Sequence, residues 1–321
     1  MPDAPTGLRW RADADADADD ATLARVAFAP DADVFCCPLP VIAGDFETER
    51  WQCPDDGPVE TGTMAGWSYR RGPDIAFAAC HIDDDAADPA AIQRAGETAY
   101  RELIALQRAL DLPCVQRIWH WLSEPTAGAG DDQRYQRFCR GRAEALDAPG
   151  GAIEPLPPAT LVAGHRHGLR MHALLGRDSV RPIENPRQVS AYRYPRDYGI
   201  RAPAFARAGV ANLAGARFLL VSGTASIVGH ATRHAGDVEA QAGEALDNVT
   251  AVIEAAEPAI GRRMKPGDLQ CVKAYLRDPA DAETVIAVLD ARLPAIPRVL
   301  LHAPLCRDDL LVEFEAQMTL D

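Results

Sequence analysis

No stretch of this 321-residue chain is long and apolar enough to span a bilayer. Its start, Met1-Pro-Asp-Ala, lacks a basic region leading into an apolar core, which predicts no secretory signal and a cytoplasmic protein. Positive charge is short: 33 Lys and Arg against 47 Asp and Glu leave a net charge of −14. Such a balance argues against a general nucleic-acid binder, because the phosphate backbone would be repelled. It leaves room for a small anionic ligand, since a local arginine cluster can override the overall field. The eight cysteines, at 36, 37, 53, 80, 114, 139, 271 and 306, form no Cys-x-x-Cys pair and no zinc-like Cys/His spacing. In a reducing compartment they read as small buried hydrophobes, the vicinal Cys36-Cys37 included. His165, His167 and His172 have no carboxylate placed to complete a metal set, and read as polar surface. The segment Val221-Ser-Gly-Thr-Ala-Ser-Ile-Val-Gly-His230 lacks the glycine-and-lysine pattern of a phosphate loop. It also lacks the strand-elbow-helix pattern that would make Ser222 or Ser226 a nucleophile with His230 or His234 as base.

What the chain does contain is a repeated order of elements. Its length suits about two domains with a large core. In the first half, Asp74–Ile82 reads as a strand, and Ile92, Ala95, Ala99, Leu103, Leu106 and Leu110 mark one face of a helix that Pro113 ends. Cys114–Leu122 reads as a strand, 132–146 as a helix, and Thr160–Ala163 and Leu169–Leu175 as closing strands. The second half repeats this. Arg217–Ser222 is a strand, and a helix follows the N-cap residue Asp237, with Ala242, Leu246, Val249, Ile253 and Ala256 on one face and Pro258 just beyond it. Leu269–Leu276, a helix over 281–293, Arg298–Leu301 and Leu310–Met318 complete it. The prediction is an α+β fold of two β-α-β-α-β-β halves, each a mixed sheet with helices on one face, divided near 177–186. The acidic run 12–20 reads as a solvated loop.

Five segments carry candidate chemistry. On the last strand, alternation puts Glu313 and Glu315 on one face and Val312 and Phe314 on the other. An acid on such a strand is either solvated or kept for a task. Arg298 opens an apolar strand fifteen positions before Glu313, and adjacent strands could bring the two into one pocket. Lys273 and Tyr275 share a strand face, where the lysine is either a further cation for an anion or snorkels to solvent. The stretch 185–207 holds Arg187, Arg193, Arg196, Arg201 and Arg207 beside Tyr192, Tyr194 and Tyr198, donors suited to carboxylates. Gly223, after an apolar strand, lets something approach the backbone closely.

The C-terminal half resembles the RidA (YjgF-like) family in Val221-Ser222-Gly223 and in Arg298 paired with Glu313 in Leu-Val-Glu-Phe-Glu-Ala. A longer resemblance is to the chorismatases. It rests on Asn-Pro-Arg-Gln-Val-Ser-Ala-Tyr-Arg-Tyr-Pro-Arg-Asp-Tyr-Gly, Val-Ser-Gly-Thr-Ala-Ser-Ile-Val-Gly-His, Arg-His-Ala-Gly-Asp-Val-Glu-Ala-Gln, Cys-Arg-Asp-Asp-Leu-Leu-Val-Glu and Tyr135-Gln-Arg-Phe-Cys-Arg-Gly-Arg142. The resemblance implies tandem RidA-like domains over 1–180 and 181–321, the second catalytic, with no metal or organic cofactor. It implies a substrate with two carboxylates, chorismate, cleaved with release of pyruvate. Cys306 together with Gly223 resembles members that make 3-hydroxybenzoate, some also 4-hydroxybenzoate; other members make a dihydroxycyclohexadiene acid by hydrolysis. On this reading Glu313 is the general acid, Arg298 binds one carboxylate, and Tyr194, Tyr198 and Arg201 hold the other. The competing readings are a RidA-like imine deaminase and a non-catalytic binder of aromatic acids. RidA-like folds often form trimers; a tandem chain can satisfy that contact internally and remain a monomer.

Overall fold

The structure, a computed structural model, describes residues 8–13, 22–29, 35–53, 59–85 and 88–320. Most of the acidic run, residues 14–20, lies outside the described residues. The chain opens with β1 (Arg9–Asp13), β2 (Thr22–Ala27), β3 (Val41–Gly44) and β4 (Thr48–Gln52). Of these, β1, β4 and β2 form a three-stranded antiparallel sheet.

Two larger sheets follow. The first contains β5 (Glu60–Met64), β6 (Trp67–Arg71), β7 (Ile75–Ile82), β8 (Cys114–Leu122), β9 (Ala159–Ala163) and β10 (Leu169–Gly176). Their order is β5-β6-β7-β10-β8-β9, with only β8 and β9 parallel. Helices α1 (Ala91–Leu110) and α2 (Arg134–Asp147) link β7 to β8 and β8 to β9. The second contains β11 (Arg181–Ile183), β12 (Ala208–Leu213), β13 (Ala216–Ala225), β16 (Cys271–Leu276), β17 (Arg298–His302) and β18 (Val312–Thr319). A small hairpin, β14 (Ile227–Val228) and β15 (Ala231–Thr232), precedes α3 (Val238–Ile260); α4 (Ala282–Arg292) joins β16 to β17. The order β12-β13-β18-β16-β17 repeats β6-β7-β10-β8-β9, parallel pair included. β3 then pairs with β17, so the first part of the chain supplies the edge strand of the second sheet.

The α+β class and the helices on one face of each mixed sheet are as expected from the periodicity. The apolar face of α1 packs on Ala76, Ala78 and Met171, and that of α3 on Leu219, Phe314 and Met318. Asp237 caps α3 through its side chain, accepting from the Ala240 amide at 2.9 Å. Pro258 differs from expectation: it lies inside the last turn of α3, which runs on to Ile260 and ends at Gly261 in the left-handed region (φ 87°). The other faces of the two sheets meet. Phe77, Trp119, Trp121 and Val162 from one and Phe218, Leu220, Tyr275 and Leu301 from the other share a single core with residues of the N-terminal sheet.

Candidate active site

The site lies where β9, the edge strand of the first sheet, packs against the second half. Val162 bridges Leu305, Pro158 bridges Ala206, and Ser222 Oγ accepts from the Ala159 amide at 2.9 Å. A cavity of about 240 Å³ wraps this edge. Its walls come from β8 and α2 (His120, Tyr135, Arg142), from β9 (Thr160), from the 194–207 segment (Tyr194, Tyr198, Phe205, Arg207), and from Gly223, Cys306, Arg307 and Glu313.

Strand alternation explains the two acids. Glu313 pairs with Tyr275 and Glu315 with Lys273, all on the face between the sheets, while Val312, Phe314 and Ala316 face α3. Both acids are buried, which rules out a solvated strand face. Their surroundings differ sharply. The Glu315 carboxylate receives Trp119 Nε1 (2.8 Å), Thr160 Oγ1 (2.8 Å) and the Tyr275 hydroxyl (2.9 Å), and pairs with Arg117 Nη2 (3.0 Å) and Lys273 Nζ (3.3 Å). Burial alone would raise its pKa, but Lys273 and Arg117 outweigh that and hold it at about 2. Glu313 has no such donors among the described residues. Burial, reinforced by the charge of Glu315, raises its pKa to about 8 against the opposing pull of Arg207 and Arg117. A protonated acid therefore faces the cavity at neutral pH.

Gly223 explains how that acid fits. The pairing of β13 with β18 shifts register between Val221 and Thr224, and Gly223 sits in the irregularity. A Cβ at residue 223 would lie 1.9 Å from Glu313 Oε1 and 3.1 Å from the Thr160 methyl carbon. The close approach anticipated at this glycine is thus made first by the acid itself. Ser222 and Ser226 are tied to backbone carbonyls, of Ala206 at 2.6 Å and Arg233 at 3.0 Å, which leaves neither as a nucleophile.

Cations surround the cavity. The Arg207 guanidinium donates to the Tyr194 hydroxyl (2.7 Å) and the Val189 carbonyl (3.0 Å), while its buried Nε has no hydrogen-bond partner. Arg307 stacks on the Tyr198 ring at 4.1 Å and donates to the His230 carbonyl at 2.9 Å. Arg142 is buried against Phe138 and interacts with the Tyr100 hydroxyl. Tyr100 in turn bonds His120 Nε2 (2.9 Å), whose Nδ1 meets the Thr160 carbonyl (2.9 Å). A carbonyl only accepts, so Nδ1 carries the hydrogen and Nε2 accepts from the tyrosine. Burial holds the His120 pKa down at about 3, which keeps the ring neutral. Burial, with Glu313 adding to it, pushes the Cys306 thiol up to about 12.

Of the residues singled out in the sequence, Glu313, Tyr194, Tyr198, Gly223 and Cys306 meet in this cavity. Three do not. Arg298 pairs in register with Val272, on the helix-covered face, and its guanidinium bonds Asp290 of α4 at 2.5 Å. Fifteen residues of spacing said nothing about which face it would take. Arg201 is at the surface and bonds Asp147. Lys273 neither reaches the cavity nor snorkels; it is buried in ion pairs with Glu49 (2.8 Å) and Glu315 (3.3 Å). His172, expected at the surface, is buried between Phe77 and Trp121, with ring centroids at 5.3 and 4.6 Å. Arg207, one of the arginines of the 185–207 stretch, also lines the cavity, as do Arg142 and Arg307, to which the sequence gave no role. Arg142 and Arg307 each lie in a motif that carries the family resemblance, but only the fold distinguishes them from surface arginines.

A buried carboxylic acid beside three arginines is an arrangement chemically suited to proton donation to an anionic ligand. Residues 49–175 match the family described as Chorismatase FkbO/Hyg5-like, N-terminal. A chorismatase of Streptomyces rapamycinicus is 36% identical over 278 residues, covering 83% of this chain and 80% of its own. A 3-hydroxybenzoate synthase of Streptomyces hygroscopicus is 33% identical over 272 residues, covering 81% and 78%. A crystal structure of a chorismatase superposes with a TM-score of 0.84 at 31% identity, covering 98% of both chains. The chain belongs to the chorismatase family.

Proposed function

We propose that the protein cleaves chorismate to pyruvate and 3-hydroxybenzoate, with Glu313 as the general acid. The observation that carries this reading is the buried carboxyl of Glu313, without a hydrogen-bond donor among the described residues and held at a pKa of about 8, on the wall of a cavity lined by Arg142, Arg207 and Arg307. The two carboxylates of chorismate are anions suited to these arginines, and the Nε of Arg207, without a hydrogen-bond partner among the described residues, is one donor ready for them. Tyr194 and Tyr198 fix the ring beside the acid.

The chemistry follows from the proton. Glu313 protonates the methylene carbon of the enol ether. The ether carbon becomes electron-poor, the ring C–O bond breaks, and the side chain leaves as pyruvate with its ketone formed. The neighbouring ring hydroxyl closes onto the vacated carbon and returns its proton to Glu313. That strained ring opens at its far carbon; the carbon that had carried the side chain loses its hydrogen as a proton, the oxygen left on it takes up a proton, and the aromatic acid forms. Chorismate has the same atoms as hydroxybenzoate plus pyruvate, so no water is consumed. The apolar wall formed by Phe205, Ala225, Ile227 and Leu310 favours this route over hydrolysis. Cys306, neutral and next to the acid, shapes the same wall.

The test is product analysis. Purified protein incubated with chorismate should release pyruvate and 3-hydroxybenzoate in equal amounts, with no oxygen from labelled water in the aromatic acid. A dihydroxycyclohexadiene acid as the main product would assign the hydrolytic branch instead. Absence of pyruvate, with turnover of imino acids, would assign a deaminase.

A further inference from the structure

The second buried acid, Glu315, has no part in the scheme above, and its setting is too elaborate for a packing residue. Five groups converge on its carboxylate, three of them from the first half of the chain: Arg117, Trp119 and Thr160. Thr160 links the two acids physically. Its hydroxyl donates to Glu315 at 2.8 Å and accepts from the Gly223 amide at 3.0 Å, while its methyl borders the position against which the Glu313 carboxyl rests. Two residues apart on one strand face, the acids have side chains about 7 Å apart at their base. Glu315 is thus a buried negative charge beside Glu313.

We propose that Glu315 is a positioning residue whose fixed charge keeps Glu313 protonated, so that the acid enters each turnover with its proton in place. The proposal rests on the reading of Glu313 as the acid. A lone anion between two sheets would itself take up a proton and give no field. Arg117 and Lys273 prevent that, and Glu49 balances the lysine from the N-terminal sheet. Tyr275 and Cys306, the other titratable groups of the second half against Glu313, stay neutral because burial raises both. From the first half, His120 is held neutral, Tyr135 is raised by burial, and Arg142 and Arg117 remain cationic. From the 194–207 segment and the loop before β18, Arg207 and Arg307 are positive, and Asp197 and Asp308 line the cavity from exposed positions. Among these groups Glu315 is the buried anion, and burial removes the screening that weakens the exposed aspartates.

The prediction has a sign. In Glu315→Gln the basic limb of kcat/KM for pyruvate release should move to lower pH by one unit or more, with activity retained on the acid side of that limb. In Arg117→Met, which removes a cation opposing Glu313 protonation, the limb should move the other way. A purely structural role would lower activity at every pH and leave the limb in place, which would overturn the proposal. The Glu313 titration is also measured without substrate, as the carboxylic C=O infrared band absent in Glu313→Gln. Its midpoint should be near pH 8 in the unaltered protein and lower in Glu315→Gln. If chorismate is not turned over but this midpoint shifts, the functional reading fails and the inference stands. Turnover with an unmoved midpoint has the opposite meaning.

Discussion

The two halves of the chain share one strand order and put opposite chemistry on the matching strand. β10 sends Arg170 and His172 to the face between the sheets; β18 sends Glu313 and Glu315. In the first half that face is filled. The Arg170 guanidinium donates to the Cys36 carbonyl at 3.1 Å, and His172 is held between Phe77 and Trp121. Strand β2 and the segment around Cys37 and Leu39 pack over it in one core. In the second half the corresponding face keeps a cavity around the edge of β9, and the first half supplies its far wall. A duplicated sheet gives two chances at a cleft; here one copy is closed by the N-terminal strands and serves as support for the other.

This asymmetry can be broken experimentally. Glu313→Gln removes the proton donor and should reduce kcat for pyruvate release by roughly 10²–10⁴-fold. Gly223→Ala should cost about 10²-fold in kcat, because the new Cβ would lie 1.9 Å from Glu313 Oε1 and displace the acid. His172→Gln, on the closed side, should leave turnover within a few-fold while lowering stability by about 1–3 kcal/mol, read from urea unfolding. Arg298→Ala should be the mildest, leaving pyruvate release unchanged and costing about 1 kcal/mol or less, since its partner Asp290 is more than half exposed.

The two acids sharpen the comparison through pH. Glu313 has a folded pKa of about 8, above its unfolded value, so the native state holds a proton that the unfolded chain has released. Stability should therefore fall as pH rises from about 4.5 to 8, by at most about 1.4 kcal/mol per unit. Glu313→Gln should lose that slope. Glu315, held at about 2, has the opposite sign: its contribution is complete above the ordinary glutamate range and is lost as pH falls through it towards 2. Urea midpoints from pH 3 to 9 for the unaltered protein and both glutamine variants measure the two slopes separately.

Much of this was legible in the sequence because it rests on local patterns. The apolar spacing from Ile92 to Leu110 and from Ala242 to Ala256 gave both long helices, and alternation put Glu313 and Glu315 on one face. The misreadings depended on register and on distant partners. Arg298 opens a strand parallel to β16, and its face follows from pairing with Val272, which spacing along the chain does not encode. Lys273 finds Glu49, more than two hundred residues away. Arg142 lies on a helix of the first half and reaches a cavity built mainly by the second. The tyrosines, Arg207 and the glycine could be found because they sit in one short segment or one bulge; Arg142 and Arg307 come from two further elements that only the fold brings beside them.

The edge strand β3 has a consequence for dissection of the protein. Val299, Leu300 and Leu301 of β17 pair with residues 41–44, so the last sheet is finished by a strand that precedes the whole of the first large sheet in the chain. A fragment beginning at residue 181 would expose that strand's amides and carbonyls along an apolar rim, a template for self-association. Expressed alone it should aggregate, and a supplied peptide spanning the missing strand should suppress this.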